Sequence, residues 1–88
     1  MAKSVFTGDY ENFRLLLIEA RNSAGLTQID LARKLGRPQS FVSKYERGER
    51  RLDVIEFIDV AHALGIDPAK FLQRLQRSAS VKRPTRLS

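Results

Sequence analysis

The sequence predicts an all-α domain of five short helices. Apolar residues recur at helical spacing in five separate stretches, and no stretch alternates apolar with polar as a half-buried strand would. Glycines and polar caps fall between the stretches, where helices stop and start.

The first helix is expected to begin near Asp9, whose carboxylate suits an N-cap. Phe13, Leu16, Leu17, Ala20 and Ala24 trace one buried face along it, and Gly25 suits the left-handed residue that ends a helix. Residues 1–8 show no clear periodicity and read as a flexible arm. Thr27 and Asp30 make a variant capping box for the second helix, with Leu26 placed as a hydrophobic staple. Ile29, Leu31, Ala32 and Leu35 are its apolar positions, and Gly36 closes it. The third helix is expected from about Pro38 to Arg47, because a proline's missing N–H is no loss in a first turn. Val42 and Tyr45 point inward together, and Gly48 stops the helix. Asp53 and Glu56 box the start of a fourth helix, which turns Phe57, Val60, Ala61 and Leu64 inward and ends at Gly65. Asp67-Pro68 opens a fifth, with Phe71, Leu72 and Leu75 apolar. Periodicity ends after Gln76, so residues 9–76 read as the folded domain and 77–88 as a flexible basic tail.

Eighty-eight residues allow one small domain, with a core near the lower limit for independent stability. There is no cysteine and a single histidine, which excludes disulfides and a zinc site of thiolates or several imidazoles. No metal, cofactor or small-molecule ligand is expected. The longest apolar run, Leu15–Ile18, is far too short to span a membrane. The N-terminus lacks a basic region followed by an apolar one, so the chain reads as cytoplasmic. His62 has no partner type that completes a catalytic triad, and no glycine loop is built to cradle phosphate, so an enzyme is not expected.

Net charge is +6, and its distribution is informative. Residues 37–51 carry five basic groups, Arg37, Lys44, Arg47, Arg50 and Arg51, against Glu46 and Glu49. The next segment is acidic through Asp53, Glu56, Asp59 and Asp67, and the charges from Arg74 onward are all positive. A basic middle followed by an acidic segment suggests a polyanion partner on one face, although ordinary solubility charge gives the same total.

Two short helices around a tight glycine turn, the second polar and basic outside, describe a helix-turn-helix. The stretch "GLTQIDLARKLGRPQSFVSKYERGER", followed by "VAHALGI", resembles the Cro and phage-repressor type of DNA-binding domain, the XRE family with its five-helix lambda-repressor-like fold. The resemblance spans roughly residues 10–75 and rests on Thr27-Gln28, Leu31-Ala32, Gly36, Val42 and Glu46-x-Gly48 at matching spacing. It implies a transcription regulator, a repressor or an activator, whose third helix enters the major groove of double-stranded DNA. The implied base-reading residues are Gln39, Ser40, Ser43 and Lys44. Thr27 and Gln28 at the second helix's N-terminus, with Arg47, Arg50 and Arg51, are the implied phosphate contacts. Glu46 matches a family residue that pairs internally with an arginine of the first helix, here Arg21. Phe41 either packs under the turn or reaches a thymine methyl.

The sequence departs from the family pattern twice. Pro38 stands where serine or threonine often caps the third helix, and Leu52 where proline is common. The acidic fourth helix is expected to face away from DNA. Ile55, Ile58, Phe71, Leu72 and Leu75 exceed what one small core absorbs, so a homodimer through these residues is expected. The competing class is a protein-interaction module, an antitoxin-like or adaptor chain using the same fold. The polar outer face of the third helix favours DNA over it.

Overall fold

The structure, a computed structural model, describes the backbone of residues 2–80 and the side chains of residues 8–78. Among the described residues five helices follow one another: α1 (Ala2–Ser23), α2 (Gln28–Leu35), α3 (Gln39–Glu46), α4 (Val54–Leu64) and α5 (Pro68–Ser80). No strand occurs among the described residues. None of the helices is long and apolar enough to cross a membrane.

Local chemistry sets most of the boundaries. Thr27 Oγ1 accepts from the Asp30 N–H at 3.0 Å, and the Asp30 carboxylate accepts from the Thr27 N–H at 3.0 Å. Asp53 and Glu56 repeat the exchange at α4, at 2.8 and 3.0 Å. Each reciprocal pair satisfies two amides that a helix start leaves without partners. Four helices stop in one way. An N–H just beyond the helix end donates back to a carbonyl of the last turn: Leu26 to Arg21, Arg37 to Ala32, Glu49 to Lys44 and Ile66 to Ala61, at 2.9–3.2 Å. The residue before each donor is glycine, and at Gly36 and Gly48 φ is 68° and 79°, where a Cβ would clash with the backbone.

Every helix contributes to one core. Leu17 of α1, Leu31 and Ala32 of α2, Phe41, Val42 and Tyr45 of α3, Phe57, Val60, Ala61 and Leu64 of α4, and Phe71 of α5 are buried together. α2 packs on α3 and α4, while α1 packs on α3 and α5. Phe13, Phe57 and Phe71 form an aromatic triangle with centroids 5.2–5.8 Å apart, which ties α1, α4 and α5. Burying a leucine such as Leu31 completely contributes about 2 kcal/mol.

The sequence expectations need several corrections. α1 starts at Ala2, so residues 2–8 are helix rather than a loose arm, and Asp9 lies inside the helix instead of capping it. The only breaker there is Gly8, and one glycine costs a helix only about 1 kcal/mol. α5 runs on to Ser80, since no glycine or proline stands between Gln76 and Ser80; the rest of the expected tail lies outside the described residues. Pro38 is the N-cap of α3 and not its first helical residue, and it supplies no side-chain bond. Ile29 is half exposed and lies outside the core.

Candidate nucleic-acid interface

α2, the turn at Gly36 and α3 present one polar face. Phe41, Val42, Tyr45 and Glu46 bury the inner side of α3, which leaves Gln39, Ser40 and Lys44 exposed and Ser43 half-buried. The Ser43 hydroxyl turns back to the Ser40 carbonyl at 3.4 Å. The residues expected to read bases therefore lie together on the outside of a helix whose other side is anchored. Phe41 belongs to the anchored side, 7% exposed, with its ring edge-on to Tyr45 at 5.5 Å.

A polar chain runs from the core to this face. Arg21 grips the Glu46 carboxylate with two bonds, Nε at 2.7 Å and Nη2 at 3.0 Å, and its Nη1 donates to the Leu26 carbonyl at 2.9 Å. The amide of Gln28 donates to the same carboxylate at 2.9 Å. Gln28 in turn accepts from the Gln39 amide at 3.3 Å. Glu46 is only 5% exposed, so its charge is compensated inside the protein, and the orientation of Gln28 and Gln39 follows from it. Thr27 is exposed beside Gln28 and carries the cap bond already described.

The arginines beyond α3 are all engaged. Arg47 forks onto Glu49 at 3.0 and 3.1 Å, with both side chains more than half exposed. Arg50 forks onto Glu56 at 2.9 and 2.8 Å, and Arg37 reaches the same carboxylate at 3.7 Å. Both of these guanidiniums lie over the Phe41 ring, 4.3 Å from its centroid for Arg37 and 4.8 Å for Arg50. Arg51 lies over the Tyr10 ring at 4.4 Å, and the Tyr10 hydroxyl accepts from the Leu52 N–H at 3.3 Å. The bonds from Arg50 and from the Asp53 backbone hold the Glu56 carboxyl down at about 2. Glu56, in the first turn of α4, thus sits among the basic groups that flank α3.

Sequence reasoning missed Tyr10, Arg14 and the role of Arg37. Arg14 pairs with Glu11 and donates to the Glu46 carbonyl at the end of α3. Its Cδ would lie 3.5 Å from a Cβ added at Gly48. Tyr10 and Arg14 stand four positions apart in α1, a spacing that marks one face, but nothing local shows that the face meets the α3–α4 loop.

The expected self-association residues divide. Ile55 and Leu72 are exposed, at 67% and 41%, and Val54 beside Ile55 is 70% exposed. Leu75 is half-buried and Ile58 packs partly on the core. Phe71, at 6%, is a core residue and is removed from that set. Its ring turns inward to Phe13 and Phe57, so the outer side of α5 is left to Leu72.

Comparison with known proteins follows the same lines. The model of the helix-turn-helix family matches residues 17–71. An XRE-family like protein from Pseudomonas syringae pv. tomato str. DC3000 superposes with a TM-score of 0.82 at 51% identity, over 88% of this chain and 94% of that one. The restriction-modification controller protein C.AhdI from Aeromonas hydrophila gives 0.66 at 34% identity, over 73% of this chain and 97% of that one. The clp gene regulator ClgR from Corynebacterium glutamicum gives 0.71 at 26% identity, over 84% and 79%. No curated protein sequence matches the chain significantly.

Proposed function

The chain belongs to the XRE family of helix-turn-helix DNA-binding transcription regulators, and from that premise we propose that it binds a specific duplex site by inserting α3 into the major groove. The observation that carries this reading is the division of α3. Val42, Tyr45 and Glu46 are buried, while Gln39, Ser40 and Lys44 stand exposed on the other side. The major groove is wide enough for one such helix. The Gln39 amide can pair in bidentate fashion with adenine, Lys44 donates to guanine acceptors, and the Ser40 and Ser43 hydroxyls serve either base. Thr27, Gln28, Arg47 and Arg51 surround this face and supply phosphate contacts, which set register and much of the affinity; Arg50, expected among them, is held by Glu56.

The working form is a homodimer joined through Ile55, Leu72 and Leu75, with Ile58 at its edge. Exposed apolar side chains of this size on α4 and α5 gain by being covered, and a two-fold interface covers two copies at once. A dimer reads a near-palindromic site with half-sites about one DNA turn apart. Selection of duplexes from a random pool tests both parts together. The expected product is a palindrome bound steeply less well as salt rises; recovery of no preferred sequence would refute the reading.

A further inference from the structure

Arg37, Arg50, Phe41 and Glu56 form a cluster that the polar face of α3 does not explain. Arg37 lies in the turn before α3, Arg50 in the loop after it, and Glu56 in the first turn of α4. Two guanidiniums share one aromatic ring and one carboxylate oxygen, Glu56 Oε2, at 3.7 and 2.8 Å. The arginine side chains are 41% and 38% exposed, but the Glu56 side chain is only 14% exposed. The cations therefore look outward over an anion placed behind them.

We infer that Glu56 competes with DNA phosphate for Arg37 and Arg50, and so widens the margin between specific and non-specific DNA. The inference rests on the DNA-binding reading above. Arg50 spends both Nη groups on Glu56, in the fork geometry that a phosphate also prefers. A phosphate that takes Arg50 exchanges one charge-assisted pair for another, and its net gain is small. Non-specific affinity is almost wholly electrostatic, so masking two cations weakens it most. Specific binding also draws on base contacts from Gln39, Ser43 and Lys44, which do not involve Glu56. Phe41 keeps both guanidiniums beside the carboxylate even when salt screens the pair.

Glu56→Gln separates charge from architecture, because glutamine serves equally well as the third residue of a capping box. The measurement is affinity for a mixed-sequence duplex against salt concentration, with melting temperature as the control for folding. The variant is expected to bind about tenfold tighter near physiological salt, with a salt slope steeper by about two. Its preference for the duplex selected from a random pool over the mixed one is expected to shrink. In an Arg37→Gln/Arg50→Gln background the effect of Glu56→Gln should vanish, and on native Glu56 that double replacement should cost less than about threefold. Asp59→Asn removes an equal charge further along α4 and should change much less. Unchanged or weaker binding by a folded Glu56→Gln protein would overturn the inference, as would an equal response to Asp59→Asn. Binding of duplex by no variant, the native protein included, would overturn the DNA reading and the inference with it.

Discussion

The Arg21 guanidinium meets the Glu46 carboxylate edge to edge, Nε at 2.7 Å from one oxygen and Nη2 at 3.0 Å from the other. The pair joins α1 to the last residue of α3, with only 13% and 4% of the two side chains exposed. Breaking it strands a charge in a poorly solvated place. Glu46→Ala is therefore expected to cost about 3 kcal/mol of stability. It should also weaken DNA binding indirectly, through loss of the anchor for Gln28 and Gln39. Chemical denaturation measures the first effect, and an unaltered midpoint would contradict it.

Tyr45 offers the opposite case. Its hydroxyl is buried and has no hydrogen-bond partner among the described residues, and burial raises its pKa above that of an ordinary phenol. Tyr45→Phe is expected to leave stability unchanged or to raise it by about 1 kcal/mol, since an unsatisfied group is removed. A loss of that size instead would reveal a bound water on the hydroxyl. In an alkaline titration, Tyr45 should stay un-ionised until the domain unfolds.

Glu56 sets an acid limit. Its carboxyl sits at about 2 in the folded chain, against an ordinary value of 4.5. A depressed folded value gives stability that is present in full above about 4.5 and lost as pH falls toward about 2. Melting temperature should decline through that window in the native protein. Glu56→Gln should show a shallower decline there, with the two curves converging at the acid end. Parallel curves would mean that the carboxylate contributes nothing through its charge.

Gln39 and the phosphate contacts separate by salt. Gln39→Ala removes a neutral side chain, so discrimination at one base pair should fall by about 1–3 kcal/mol with no change in salt slope. Arg47→Gln should weaken binding to all duplexes alike and lower the slope by about one. Competition binding with point-substituted duplexes distinguishes the two. A salt slope altered by Gln39→Ala would remove it from the base-reading set.

Ile55→Glu combined with Leu72→Glu should leave the fold intact, because both residues are exposed in the monomer. Sedimentation equilibrium should then find a monomer that binds a palindrome far less tightly than the native chain does. Phe71→Glu, at a core position, should instead unfold the domain. A native chain that sediments as a monomer while bound to one half-site would exclude the dimer.

The starts of α2 and α4 and the ends of α1 to α4 were legible in the sequence because they depend on neighbours in the chain. Thr27 with Asp30, Asp53 with Glu56, and the glycines after α1 to α4 act within a few residues of themselves. The inward set Val42, Tyr45, Phe57, Val60, Ala61 and Leu64 follows from helical spacing in the same way. Spacing failed where rotation of a short helix decides the outcome. Phe71 and Leu72 are adjacent and equally apolar, yet one is core and the other surface. The cluster of Arg37, Phe41, Arg50 and Glu56 was not legible at all, since the turn and loop that bring it together carry no periodicity. Tyr10 and Arg14 were missed for the related reason that their partners, the Leu52 N–H and the Glu46 carbonyl, lie 42 and 32 positions away in sequence.

The shared glycine ending of α1 to α4 bears on how the chain reaches its native state. Each stop closes within six residues, from the Arg21, Ala32, Lys44 and Ala61 carbonyls to the amides that cap them. Helix length is thus encoded within a few residues of each helix end, and little of the search is left to long-range register. Chains whose contacts are mostly local fold within microseconds to milliseconds. A stopped-flow experiment on this domain should accordingly find a single rapid phase, completed early enough for a newly made regulator to act without delay.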